Sequence, residues 1–145
     1  MKAVIQRVGR TSLSVDGKLI SEIPFGLAVY LGVKVGDCKA QAEAIAKKVS
    51  KLRIFEDANG KMNLSVSDVG GEILLISQFT LYGDCSHGNR PSFTEAERPE
   101  AANALYEYAA EKLRENGMTV KTGVFGADMK IEQFNDGPVT IIYEI

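Results

Sequence analysis

Residues Ile73 to Asp84 read ILLISQFTLYGD, and this stretch decides how the rest of the chain is arranged. The first four residues are continuously apolar, as in a strand buried on both faces. Polarity then arrives at Ser77, Gln78 and Thr80, with Gly83 close behind. The reading continues the strand through these residues, directly out of the core. A buried hydroxyl or amide without a partner costs about 1–3 kcal/mol. Either local structure or a ligand has to satisfy these groups, so the segment is the expected working centre.

Upstream, Ala3 to Val15 reads as a long strand, with Ile5, Thr11, Leu13 and Val15 in one phase. Asp16-Gly17 is a hairpin signal, and Lys18 to Ile23 returns from it. Gly26 to Val35 (GLAVYLGVKV) is a second apolar run and a second central strand. Asp37 stands where it can cap a helix over Cys38 to Lys51. There Ala42, Ile45, Ala46 and Val49 share one face and Lys47, Lys48 and Lys51 another. The lysines read first as a solvated face and second as phosphate contacts. Leu52 to Glu56 and Met62 to Val66 form a short hairpin around Asn59-Gly60.

Downstream, Cys85 to Glu97 (CSHGNRPSFTEAE) has no period and reads as a long loop, a frequent home of function. Pro99 opens a second helix that continues through Glu100 to Glu115 and ends at Asn116-Gly117. Its buried face is Ala102, Leu105, Tyr106, Ala109 and Leu113. Val120 to Val124 is a strand. Met129 to Phe134 and Val139 to Ile145 are two more, with Asn135-Asp136-Gly137-Pro138 as a turn between them. The whole is one α/β layered domain over residues 1–145, with largely antiparallel sheets and two main helices.

Length and composition set bounds on function. A chain of 145 residues can bury a real core, and its net charge of −2 supplies no global basic field for nucleic acid. No apolar run approaches a membrane span, and MKAVIQRVGR lacks the features of a signal peptide. Cys38 and Cys85 have neither metal-site nor disulfide-framework spacing. Together these point to a cytoplasmic location without membrane, metal or cofactor.

Three constellations carry possible chemistry. Cys85 and His87 lie two residues apart, but a thiol needs a fixed base or positive field, and an exposed loop pair is the simpler reading. His87 is the sole histidine, which removes most Ser-His-Asp and metal arrangements. Ser77 and Thr80 offer hydroxyls without an adjacent base. For Thr80, nucleophilic and orienting roles weigh equally. Gln78 is either a satisfied amide or a contact to a sugar or base. Gly137-Pro138 reads locally as an ordinary turn, with glycine relaxing the steric demands of proline.

Two of these pieces together resemble the D-aminoacyl-tRNA deacylase family. SQFTL at Ser77 to Leu81 and NDGPVT at Asn135 to Thr140 are similar to its two signature motifs. The likeness extends along the chain through IQRV (Ile5 to Val8), RIF (Arg53 to Phe55), KMN (Lys61 to Asn63), RPSF (Arg90 to Phe93) and ADM (Ala127 to Met129). The resemblance implies a homodimer that hydrolyses the ester joining a D-amino acid, or mischarged glycine, to the 3′ end of tRNA. It implies a cis Gly137-Pro138 peptide inserted into the partner's active site, where its carbonyls face the α-carbon region. Ser77, Gln78, Phe79 and Thr80 are then the catalytic segment, with Gln78 and the Phe79 amide at the adenosine and the scissile carbonyl. Gly137, Pro138, Arg7 and Met129 are substrate-binding, with Arg7 bracing the Gly-Pro segment. Lys47, Lys48, Lys51, Arg90 and Arg98 are candidate phosphate contacts. The terminal ribose 2′-hydroxyl is expected to assist attacking water, which suits a chain with no obvious base. Two alternatives stand beside it: a cysteine hydrolase using Cys85, and a non-catalytic binder of the RNA acceptor end.

Overall fold

Strand β1 (Lys2–Val15) carries most of the pairing in the computed structural model, which describes residues 1–145. One edge of β1 pairs antiparallel with β8 (Met129–Glu144) along nearly its full length. The other edge is shared. Lys2–Val8 pairs with β3 (Gly26–Gly32), and Thr11–Val15 with β2 (Lys18–Ile23), both antiparallel. β6 (Glu72–Ser77) joins β3 in parallel, and β7 (Val120–Thr122) joins β6 in parallel. A separate hairpin is made by β4 (Phe55–Glu56) and β5 (Met62–Leu64). The α/β class and the two helices are as expected, and the main sheet is mixed.

The central strands explain the layering. Successive side chains on a strand point to opposite faces, so an unbroken apolar run needs cover on both. Leu27, Val29 and Leu31 of β3, with Ile73 and Leu75 of β6, enter a cluster of 24 buried residues. This cluster is closed by α1 (Lys39–Lys51) through Ala42, Ile45, Ala46 and Val49. The second helix, α2 (Pro99–Glu115), adds Ala102, Tyr106, Ala109 and Leu113. The alternate residues Ala28, Leu74 and Ile76 face the other way and join Val8, Leu13 and Ile23 in a cluster of six. Each fully buried aliphatic side chain contributes about 1.5–3 kcal/mol. Gly26 begins β3 at φ +140°, where a Cβ would overlap the Glu72 backbone; only glycine lets the two strands approach there.

Four expectations are corrected. β6 does not run on into the polar residues: it ends at Ser77, and Phe79–Tyr82 forms one turn of 3-10 helix. The cause is the end of its partner. Gln78 N–H makes a last bond to Leu31 O at 2.9 Å, and Leu81 N–H then turns back to Gln78 O at 3.3 Å. Thr80 is consequently exposed rather than buried. Asp37 does not cap α1, because its carboxylate accepts from Lys34 N–H at 2.6 Å and from the Met1 ammonium at 2.8 Å. Cys38 takes the cap position, with its N–H donating to Gln41 Oε1 at 3.0 Å. The strands around Asn59-Gly60 are shorter than expected, since Asp68 draws Ser65 N–H into a turn at 2.8 Å. Finally, Asn135-Asp136-Gly137-Pro138 does not reverse the chain, and Met129–Glu144 is one strand that stays alongside β1. No helix is long and apolar enough to cross a membrane.

Candidate active site

The parallel strands β3 and β6 end at a cavity of about 600 Å³. Leu31, Val33, Ile76, Ser77, Gln78 and Phe79 come from these strand ends, and Phe93, Ala96, Glu97, Arg98 and Pro99 contribute from the long loop and the start of α2. Ala102, Tyr106, Phe125, Ala127, Met129 and Ile131 complete the wall. Crevices at the carboxyl ends of parallel strands are common ligand sites, because the chain diverges there and leaves room.

The lining is largely aromatic and aliphatic. Phe79, 58% exposed, meets Phe93 edge to face with ring centroids 5.0 Å apart. Tyr106 is buried, packs against Phe125 at 6.0 Å, and donates its hydroxyl to Leu75 O at 2.8 Å. Burial pushes the Tyr106 hydroxyl up to about 12, so it stays protonated at neutral pH. The Gln78 side-chain amide donates to the Thr80 hydroxyl. The first N–H groups of a helical turn lack an acceptor within that turn. None of the turn and loop bonds uses the Phe79 or Thr80 amide. Phe79, whose amide is free of turn and loop bonds, is thus part of an otherwise flat apolar wall. The cavity contains no histidine or cysteine. Such a site can position a group and stabilise a developing oxyanion.

A second group of residues lies apart. Between the pairs Gln6↔Thr140 and Val8↔Asn135, β1 spends one residue and β8 spends four. The surplus forms an outward bulge at Asp136 to Val139, in which Gly137-Pro138 is cis and both residues are exposed. Arg7, the one β1 residue opposite, is 8% exposed. Its Nε donates to Asp136 O at 3.0 Å and lies 3.2 Å from Asp136 Oδ2, and its Nη1 donates to Ile54 O at 2.9 Å. One guanidinium thus ties the bulge to the segment that follows α1.

The chain accordingly brings Ser77, Gln78, Phe79 and Met129 into one cavity, with Thr80 beside them on the 3-10 turn. Arg7, Gly137 and Pro138 are together but outside that cavity. Arg98 sits on its rim, whereas Lys47, Lys48, Lys51 and Arg90 do not line it. Cys85 and His87 are exposed in the loop and absent from the lining. The sequence reading missed Leu31, Phe93, Phe125 and Tyr106 as wall residues. Phe93 had a signal, an aromatic inside an unperiodic loop. Tyr106 had only its helical period, which marks core and cavity wall alike.

The profile of the family described as D-Tyr-tRNA(Tyr) deacylase matches residues 4–144. A D-aminoacyl-tRNA deacylase of Anaeromyxobacter dehalogenans (strain 2CP-C) is 55% identical over 144 residues, covering 99% of this chain and 97% of the relative. The solved c-Myc DNA Unwinding Element Binding Protein is 43% identical with a TM-score of 0.93, covering 100% of this chain and 99% of that one. A probable eukaryotic D-amino acid tRNA deacylase shares the fold, with a TM-score of 0.85 at 17% identity and coverage of 99% and 98%. The class these matches define is a hydrolase acting on ester bonds. The chain belongs to the D-Tyr-tRNA(Tyr) deacylase family.

Proposed function

We propose that the chain, acting over residues 1–145 as one catalytic domain and as a homodimer in the cytoplasm, removes D-amino acids and mischarged glycine from the 3′ end of tRNA. The observation that carries this reading is the separation of its two motif regions. Ser77, Gln78 and Phe79 line the cavity, while Gly137-Pro138 projects from the surface outside it. A Gly-Pro segment that meets substrate then needs a second copy to supply the pocket. Phe134 at 69% exposure and Ile142 at 68%, on the same strand, favour self-association.

In this reading the terminal adenosine lies in the aromatic cavity and the scissile carbonyl faces the Phe79 amide. Pro138 and Gly137 of the partner subunit form a backbone wall at the α-carbon. An L side chain would strike that wall, and glycine or a D side chain would clear it. Water attacks the carbonyl carbon and gives up its proton toward the ribose 2′-hydroxyl. The bond to the 3′ oxygen breaks as the 2′-hydroxyl, on receiving the proton from water, passes its own proton to that departing oxygen. Most of the acceleration comes from positioning and from donors aimed at the oxyanion. An aminoacyl ester is already activated, and the one carboxylate on the lining, Glu97, is occupied by the Gly36 and Arg98 N–H groups, so turnover without a side-chain base is compatible with this cavity.

The test replaces the terminal adenosine of D-tyrosyl-tRNA by 2′-deoxyadenosine and follows ester loss in single turnover. The expected result is a fall of about 10²-fold or more, the scale of a lost proton-transfer group. An unchanged rate would reject assistance by the substrate. Binding of tRNA or duplex DNA without ester loss would instead favour a binding protein, the role that the name of the 43% identical relative carries.

A further inference from the structure

One segment of this acidic chain carries an excess of positive charge. Residues 47–63 hold five basic side chains, Lys47, Lys48, Lys51, Arg53 and Lys61, against Glu56 and Asp57. All five are exposed. None of them takes part in any of the eight ion pairs of the protein. One of the two acids is also withdrawn from pairing: Asp57 accepts from the Asn59 and Lys61 backbone N–H groups and from the Asn63 side chain. Lys47 and Lys51 are four residues apart and so project from one side of α1.

This ridge does not border the cavity of its own chain. It borders the Gly-Pro bulge. Arg7 joins Ile54 O, next to Arg53, to Asp136 O, two residues before Pro138. Lys48 Nζ lies 5.0 Å from the centre of the Tyr143 ring, farther along the strand that carries the bulge. Arg7 and Lys48 thereby link the end of α1 and the segment after it to the strand that carries the bulge.

Resting on the dimeric deacylase reading above, we infer that this ridge binds the phosphates of the tRNA acceptor stem in trans. The protomer that lends its Gly-Pro bulge to a pocket also lends its α1 ridge to the RNA leaving that pocket. The pocket's own protomer contributes Arg98 at the rim. Unpaired, solvated lysines suit this task, since phosphate contacts gain from counterion release and need no fixed geometry. A chain of net charge −2 can thus grip RNA at one place without binding it everywhere.

The experiment begins with Lys47→Glu/Lys51→Glu in both protomers. KM for D-tyrosyl-tRNA should rise ~10-fold or more at 0.1 M salt with kcat held, and the salt slope should flatten by about 2. D-tyrosyl-adenosine, which has no stem, should show no such rise. Mixed dimers then separate trans from cis. One protomer carries Ala127→Trp to fill its cavity and the other carries Lys47→Glu/Lys51→Glu, each with its own affinity tag. In trans, the intact cavity faces an intact ridge, and KM returns to the wild-type value. In cis, KM stays high, which overturns the inference while leaving the deacylase reading intact. An unaltered KM in the doubly substituted homodimer overturns it too. Failure of the deacylase reading itself appears separately, as a wild-type protein that is monomeric or inert toward D-tyrosyl-tRNA.

Discussion

At the scale of single residues, the cavity is defined by what its polar groups are already committed to. The Thr80 hydroxyl accepts from the Gln78 amide and is exposed on the 3-10 turn. It has neither a base nor a buried environment to activate it. Thr80→Ala should therefore retain deacylation within about tenfold, whereas loss of a true nucleophile costs several orders of magnitude. A folded Thr80→Ala protein that binds tRNA but is inert would restore Thr80 as nucleophile. Tyr106 makes a separate prediction. Its folded value of about 12 lies above the ordinary tyrosine value of 10.0, so the folded state holds this proton more tightly. The stabilisation linked to that shift is fully present below pH 10 and is lost as pH rises toward 12. Tyr106→Phe should cost about 1 kcal/mol at pH 7, through the lost bond to Leu75 O. Its urea midpoint should also fall less steeply above pH 10 than that of the wild type. Parallel curves for the two proteins would contradict the assignment.

At the scale of elements, the junction of β1 and β8 matters most. Arg7 satisfies two carbonyls at once and so links Ile54 to Asp136 across the junction. Arg7→Met should destabilise the fold by about 1–3 kcal/mol, because the Ile54 carbonyl loses its donor in a buried place while exposed Asp136 can turn to water. It should also loosen the bulge and let L-aminoacyl esters be hydrolysed more readily. The check is a denaturation curve beside a D-to-L rate ratio, and an unchanged ratio in a destabilised protein would confine Arg7 to stability. This junction also shows where the sequence stops being legible. The faces of α1 and α2 were plain, since Ala42, Ile45 and Val49 or Tyr106, Ala109 and Leu113 follow a helical period set by burial alone. The ends of strands were not, because they depend on partners distant in sequence. β6 ends where Gly32 ends β3, and no feature of SQFTL states that. Asp136-Gly137-Pro138 has the composition of a turn, yet it makes a bulge because β1 runs past it as a continuous template. Parallel pairing of β3, β6 and β7 was equally hidden, as an apolar run buried on both faces says nothing of direction. The Ser77 to Thr80 segment was legible from polar residues following an apolar run, but its pairing with Gly137-Pro138 only through motif resemblance. The aromatic wall of the site is drawn from four distant segments that share no local pattern.

At the scale of the whole molecule, the cavity and the bulge belong to one chain but not to one place. Under the proposed function, a complete site asks for two copies arranged reciprocally, as two-fold symmetry provides. Sedimentation at micromolar concentration should return a dimer, and a Phe134→Glu/Ile142→Glu protein should shift to monomer and lose hydrolysis together with stereoselectivity. A monomer that keeps both would remove the need for a cross-subunit wall. The central claim is that the protein hydrolyses the ester according to chirality, through backbone and not through a side-chain pocket. The most direct measurement compares single-turnover rates for D-tyrosyl-tRNA and L-tyrosyl-tRNA at equal enzyme concentration. Exclusion by a rigid wall predicts rapid loss of the D ester and a rate ~10²-fold or more lower for the L ester. Equal rates for the two, or a stable D ester, would contradict the account.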